Sequence, residues 1–177
     1  MTKRHESGVG SGTSPFGVLG LEARFDLDPA AIDSAWLRAA AMCHPDRVGD
    51  EASVGGRTIA AVNRARAALI DPERRAEALL THLGGASREE DNALPEGFLV
   101  EIFSVRQELE ESKETGDGER IASFERWADG RRGDYIREVA QQFDAVGSPP
   151  QAERLAQIRR TLNAWRYVER MIEQLAD

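Results

Sequence analysis

The chain has 177 residues, enough for one domain or two small ones, and its 41% hydrophobic content permits a real core. Its 23 basic against 31 acidic side chains give a formal charge of -8, which argues against bulk nucleic-acid binding. Cys43 is the only cysteine, which excludes an internal disulfide, a multi-cysteine zinc site and a self-contained cysteine-ligated cluster.

Residues 1–15 are rich in Gly and Ser and read as a disordered tail with no signal-peptide pattern. With no run of about 18 apolar residues, no spanning helix is expected. A cytoplasmic protein without a membrane partner is the expectation.

Phe16-Gly17-Val18-Leu19-Gly20-Leu21 predicts one helical turn with Phe16, Leu19 and Leu21 on the core. Asp28-Pro29 predicts a helix start, the carboxylate capping open N–H groups and the proline fitting the first helical position. Ile32, Trp36, Leu37 and Ala40 mark the apolar side of that helix, and Pro45 stops it. A second helix is expected from Val54–Thr58 to Leu69, with Ile59, Val62, Ala65 or Arg66, and Leu69 at its spacing. The two make an antiparallel hairpin. Asp71-Pro72 ends the second helix and caps a third, Glu73 to about Leu83.

Residues 85–95 read as a linker. Three long helical patterns follow: Phe98 to Glu114, Glu119 to Phe143 and Pro150 to Leu175. Gly116-Asp117-Gly118 and Gly147-Ser148-Pro149-Pro150 separate them, and the short connections predict a three-helix bundle. In the last helix Leu155, Ile158, Leu162, Trp165, Val168 and Ile172 form the core stripe, and Tyr167 is turned away from it. In the first, Leu99, Val100, Ile102 and Phe103 cover more than one narrow face, so some apolar surface is left for a partner. The pattern alone leaves Leu99 and Phe103 open between core and partner contact. The fold class is all-α, a helical hairpin followed by a bundle. Residues 16–84 carry 8 basic and 10 acidic side chains, net -2, and residues 85–177 carry 13 and 20, net -7.

His44-Pro45-Asp46 lies at the hairpin's tip. A metal site needs three or four converging ligands; Cys43, His44 and Asp46 are too close in sequence, and His5 and His82 are the only other histidines. A hydrolase would use His44 as base, Asp46 as orienter and Ser53 or Cys43 as nucleophile, but nothing fixes that nucleophile. No catalytic residue, metal or cofactor is therefore assigned. Two readings stay open on the residues alone. Pro45 merely ends a helix, or a stiff turn presents an imidazole and a carboxylate to a partner, with Arg38 and Arg47 supplying positive charge.

The resemblance is wider than the tripeptide. FGVLGL (16–21), Asp28-Pro29, Trp36, HPDR (44–47), Asn63 with Ala67 and Leu69, and DPERRAEALL (71–80) occur in the order of a J-domain. With FLVEIFSVRQELEE (98–111) and the acidic helical second half, the whole chain resembles the iron–sulfur co-chaperone family known as HscB. Residues 16–84 look like its J-domain and 96–177 like its scaffold-binding helical domain.

The resemblance implies a non-enzymatic co-chaperone for iron–sulfur cluster assembly. Its partners would be an HscA-type 70-kDa chaperone, whose ATPase it stimulates, and an IscU-type scaffold protein. By carry-over, His44, Pro45 and Asp46, with Arg38 and Arg47, engage the chaperone, and Leu99, Val100, Phe103, Glu111 and Tyr167 engage the scaffold. The runner-up is a J-domain co-chaperone whose bundle serves another client or mainly self-associates, and the enzymatic alternative is a small hydrolase using His44. Two departures stand out. Leu37-Arg38-Ala39-Ala40-Ala41-Met42-Cys43 is less basic than the helix that usually precedes the tripeptide. Ser104 and Gln107 stand where the family commonly has acidic contacts, which implies a less electrostatic scaffold interface.

Overall fold

The computed structural model describes residues 14–43 and 58–176. His44, Pro45, Asp46 and Arg47 lie outside the described residues, as do residues 1–13 of the disordered tail expected over 1–15 and the side chain of Leu175. Ser14 and Pro15 of that expected tail instead form the cap and first residue of a helix, because the Ser14 hydroxyl caps its start and proline suits the first helical position. All regular structure among the described residues is helical, in seven segments. The chain divides between His82 and Leu83 into two compact units.

In the first unit, α1 (Pro15–Leu19) is bounded by side-chain and glycine chemistry. The Ser14 hydroxyl accepts from the Gly17 N–H, and Gly20, at φ 67°, closes the turn in the left-handed region. Phe16, Val18 and Leu19 are buried and Leu21 is half-buried. Helix α2 (Pro29–Met42) starts on the Asp28 carboxylate, which accepts from Ala30 N–H at 2.9 Å. Helix α3 (Ile59–Ile70) starts on the Thr58 hydroxyl, which accepts from Ala61 N–H at 3.1 Å.

Cross-helix bonds set the direction of the pair. Trp36 Nε1 donates to Asn63 Oδ1 at 2.8 Å, and Arg66 Nε donates to Asp33 Oδ1 at 2.8 Å. Rising numbers on α2 meet falling numbers on α3, so the hairpin is antiparallel. At the α3–α4 corner, Asp71 accepts from Arg74 N–H at 2.9 Å and Pro72 opens α4 (Pro72–His82). Arg75 is buried beneath this corner, donating to the Leu69 carbonyl at 2.7 Å with its guanidinium over the Phe25 ring. Burial lowers its pKa, and Asp71 and Asp26 oppose that shift.

The core stripe of α2 differs from the sequence expectation. Ile32, Ala35 and Ala39 are buried, whereas Leu37 is 59% exposed and Trp36 and Ala40 are half-buried. The alanines sit on the same face as Ile32 and let the hairpin's helices approach closely. Trp36 lies at the seam instead, where Asn63 satisfies its N–H and Arg66 covers its ring at 5.1 Å. Ile59 is likewise 49% exposed, at the start of α3.

The second unit contains α5 (Phe98–Thr115), α6 (Gly118–Asp144) and α7 (Ala152–Ala176). Gly116, at φ 67°, ends α5, and the Asp117 carboxylate accepts from Arg120 N–H to start α6, so two residues make the turn. Between α6 and α7 the Ser148–Pro149 bond is cis. The centre of the α6–α7 interface is aromatic and ionic. Tyr135 and Trp165 stack at 6.1 Å, and Trp165 Nε1 donates to Glu169 Oε1 at 2.9 Å. Arg132 donates to both oxygens of the same carboxylate, at 2.7 and 2.6 Å. Residues 83–97 belong to this unit: Asn163 Nδ2, on α7, donates to the carbonyls of Asp91 and Ala93 at 3.0 and 2.9 Å, and Arg159 donates to Asn163 Oδ1.

Burial pushes the Glu169 pKa up, but the hydrogen bonds from Arg132 and Trp165 outweigh it and hold the carboxyl below its usual value. A depressed folded-state value gives stability that is present above the unfolded carboxylate range and lost as pH falls through the folded value. Glu169→Gln is expected to destabilise the second unit by about 2 kcal/mol at neutral pH. It should also flatten the acid-side loss of stability, as read by urea unfolding at a series of acidic pH values.

Candidate partner-binding faces

Helix α5 touches its neighbours along one side only. Phe98, Ile102, Leu109 and Ser112 are buried. A turn of about 100° per residue puts Leu99 and Phe103 roughly 40° apart, with Val100 about 60° beyond, on the outward face. There Leu99 is 58%, Val100 74% and Phe103 71% exposed, against 1% for Ile102. The ambiguity of the apolar pattern is thereby resolved residue by residue: Ile102 fills the core, and its three apolar neighbours form one patch open to solvent. The same helix then turns acidic, with Glu108, Glu110, Glu111 and Glu114 against Arg106 and Lys113.

Glu111 is exposed two turns beyond Phe103, and its Oε1 accepts from Gln107 Nε2 at 3.3 Å. Tyr167 is half-buried and meets Phe98 edge-on, with ring centroids 5.6 Å apart. Its ring is therefore an aromatic buttress against the first residue of α5, adjoining the turn that carries Leu99 and Val100. Glu101, on the same helix, is engaged by Arg131 of α6 at 3.5 Å.

In the first unit, Arg38 is exposed on the outer side of α2. Leu37 and Met42, in the C-terminal part of this helix, are 59% and 47% exposed, and Ile59, the first residue of α3, is also exposed. The chain entering and leaving the segment that carries His44-Pro45-Asp46 is thus apolar and open, with Arg38 as the charged residue among Leu37 to Met42. Leu37 and Met42 were not recognisable as surface from their type. The signal was the Ile32, Ala35, Ala39 spacing, which already fills a core face.

Trp127 is a further residue that sequence reasoning missed. It is half-buried on α6, tilted against Phe124 at 5.3 Å, and lines a groove between α5 and α6. Among the described residues no group of three or more His, Cys, Asp and Glu is arranged to hold a metal, and no helix is long and apolar enough to cross a membrane.

A family model described as the HSCB C-terminal oligomerisation domain matches residues 94–176. The chain is similar to the co-chaperone protein HscB homolog of Bordetella petrii, 29% identical over 166 residues that cover 91% of this chain and 93% of the relative. Among solved structures, chaperone HscB from Vibrio cholerae matches with a TM-score of 0.61 and 25% identity, over 92% of this chain and 99% of that one. Human co-chaperone protein HscB matches with a TM-score of 0.75 over 99% of this chain and 84% of that one; at 18% identity this likeness speaks for the fold.

The exposure pattern of α5 has a direct consequence for stability. Phe103→Ala and Leu99→Ala are expected to change the unfolding free energy by less than about 0.5 kcal/mol, while Ile102→Ala costs about 2–5 kcal/mol. Denaturant unfolding of the three variants checks this. Equal losses at Phe103 and Ile102 would mean that the face is not free.

Proposed function

We propose how this chain, which belongs to the HscB-type co-chaperones with a J-domain and a C-terminal helical domain, divides that role between its units. The second unit binds an IscU-type iron–sulfur scaffold protein through Leu99, Val100 and Phe103, with Glu111 and Tyr167 at the margins. The first unit presents His44, Pro45 and Asp46, flanked by Arg38 and Arg47, to an HscA-type 70-kDa chaperone and stimulates its ATP hydrolysis. ATP turnover belongs to that chaperone, and the chain contributes binding energy rather than bond chemistry.

The observation that carries the reading is the patch on α5. Three adjacent large apolar side chains stay open to water while Ile102 between them is buried. Such a patch favours a protein partner that covers it. In the first unit the sequence carries the reading: His44-Pro45-Asp46 sets an imidazole and a carboxylate on either side of a proline, residue types suited to directional hydrogen bonds to a partner. The exposed Leu37, Met42 and Ile59 beside it add apolar area where long-range charge is sparse, so docking here should depend less on ionic strength than a basic helix would.

Steady-state ATP hydrolysis by the cognate 70-kDa chaperone, with and without the scaffold, tests the reading. Synergistic stimulation is expected. Stimulation indifferent to the scaffold would keep the J-domain role and assign another client, and absence of stimulation with an active, correctly paired chaperone would overturn the reading. His44→Gln is expected to abolish stimulation while sparing scaffold affinity. The double variant Leu99→Ala with Phe103→Ala is expected to do the reverse, lowering scaffold affinity at least about tenfold by calorimetry.

A further inference from the structure

The geometry points to Arg131 of α6 as a positioning residue: through Glu101 it fixes the one rotation of α5 that turns Leu99, Val100 and Phe103 outward together. This inference rests on the reading above that these three residues bind the scaffold.

The start of α5 is ambiguous by composition. Phe98, Leu99, Val100, Ile102, Phe103 and Val105 are apolar, and Glu101 is the one charged side chain in the stretch 98–105. Measured from buried Ile102, Leu99 lies about 60° and Phe103 about 100° around the helix. Rotating α5 by that amount would carry a leucine or a phenylalanine into the place of Ile102 with comparable apolar burial. Burial therefore seats the helix without choosing among its rotations, and a polar contact is what distinguishes them. The packing beside it is slack as well. A cavity of about 160 Å³ lies against Phe98 and Glu101 of α5 and Arg131 and Tyr135 of α6, so shape alone does not lock this end.

Arg131 supplies the polar contact, and it is itself held. Its Nη2 lies 3.5 Å from Glu101 Oε1 and donates to the Tyr135 hydroxyl at 3.3 Å. The guanidinium also covers the Tyr135 ring, 5.0 Å from the centroid. Tyr135 is buried and stacks on Trp165 of α7. A chain of contacts runs from Trp165 through Tyr135 and Arg131 to Glu101, tying α5 to both other helices. Glu138 also borders the cavity, but its Oε1 accepts from Gln142 and Thr161.

The place of Glu101 on the helix makes the pair selective. It lies about 100° from Ile102 in the sense opposite to Leu99 and Phe103. Any rotation that turns Leu99 or Phe103 inward swings Glu101 away from α6 and breaks the pair. Without the pair, the fraction of molecules with all three apolar residues open falls, and the apparent affinity for a partner falls by the same factor. A half-buried ion pair biases such an equilibrium by a factor of about three to five.

Calorimetric titration of the full chain with the purified cognate scaffold protein tests this. Arg131→Met and Glu101→Gln are each expected to weaken binding about three- to fivefold, and the double variant no further. Arg137→Met, exposed on α6 and paired with Asp134 of its own helix, leaves binding unchanged. In the chaperone ATPase assay the scaffold concentration for half-maximal stimulation should rise by the same factor, with the maximum and the scaffold-free stimulation unchanged. Glu101 is exposed, so its variant keeps the test open if Arg131→Met fails to fold. A lower urea midpoint with unchanged affinity would make Arg131 structural only and overturn the inference. Weakening by Glu101→Gln but not by Arg131→Met would make Glu101 a direct contact, and additive losses would deny the coupling; either overturns it. Wild-type binding untouched by the Leu99 and Phe103 double variant would overturn the patch reading and this inference with it.

Discussion

The Glu169 carboxylate, drawn out of water and clamped by Arg132 and Trp165, fixes how α6 lies against α7. A bidentate ion pair tolerates little sliding, since a one-residue shift separates both N–H···O bonds at once. Tyr135 stacked on Trp165 fills the space beside the pair, so charge and packing demand the same register. Helix α5 packs on one side of this pair. It needs only Phe98, Ile102, Leu109 and Ser112 to seat itself. Glu101 adds an ion pair to Arg131 of α6, and the outward positions hold the exposed apolar and acidic side chains.

That division of labour explains why an 18-residue helix can be both structural and adhesive. In an ordinary surface helix the outward face is polar because nothing covers it. Here Leu99, Val100 and Phe103 occupy outward positions at a standing risk of self-association, and the acidic excess of the same unit counteracts that risk by repulsion.

Much of the architecture was legible because helix ends are decided locally. Asp28-Pro29, Asp71-Pro72 and Gly116-Asp117 each satisfy or interrupt backbone hydrogen bonds within a few residues, and the structure uses all three as read. Interior faces were harder. Trp36 and Leu37 looked like core because they are large, yet Ala35 and Ala39 take the core positions, since close helix approach rewards small side chains. The open patch on α5 could be counted as excess apolar surface but not assigned, because periodicity does not say which neighbour covers which side. Trp127 was invisible as a groove residue for the same reason: its surroundings come from α5, across the interface. His44-Pro45-Asp46, outside the described residues, is the opposite case, read wholly from residue type and flanking sequence.

The size of the exposed patch also bears on what kind of partner suits it. Fully burying a large apolar side chain is worth about 1.5–3 kcal/mol, so three of them offer several kcal/mol before the cost of immobilising a partner is subtracted. That sum alone favours a transient complex. A co-chaperone benefits from this, because a client held too tightly is not released to the chaperone. On the proposed reading, chaperone contact falls to one unit and client contact to the other, so each affinity can be tuned without disturbing the other. If chaperone and client make the same complex tighter together than apart, thermodynamic linkage requires that each strengthen the other's binding by the same factor. Modest individual faces then suffice, and affinity is concentrated in the assembled complex rather than in either encounter.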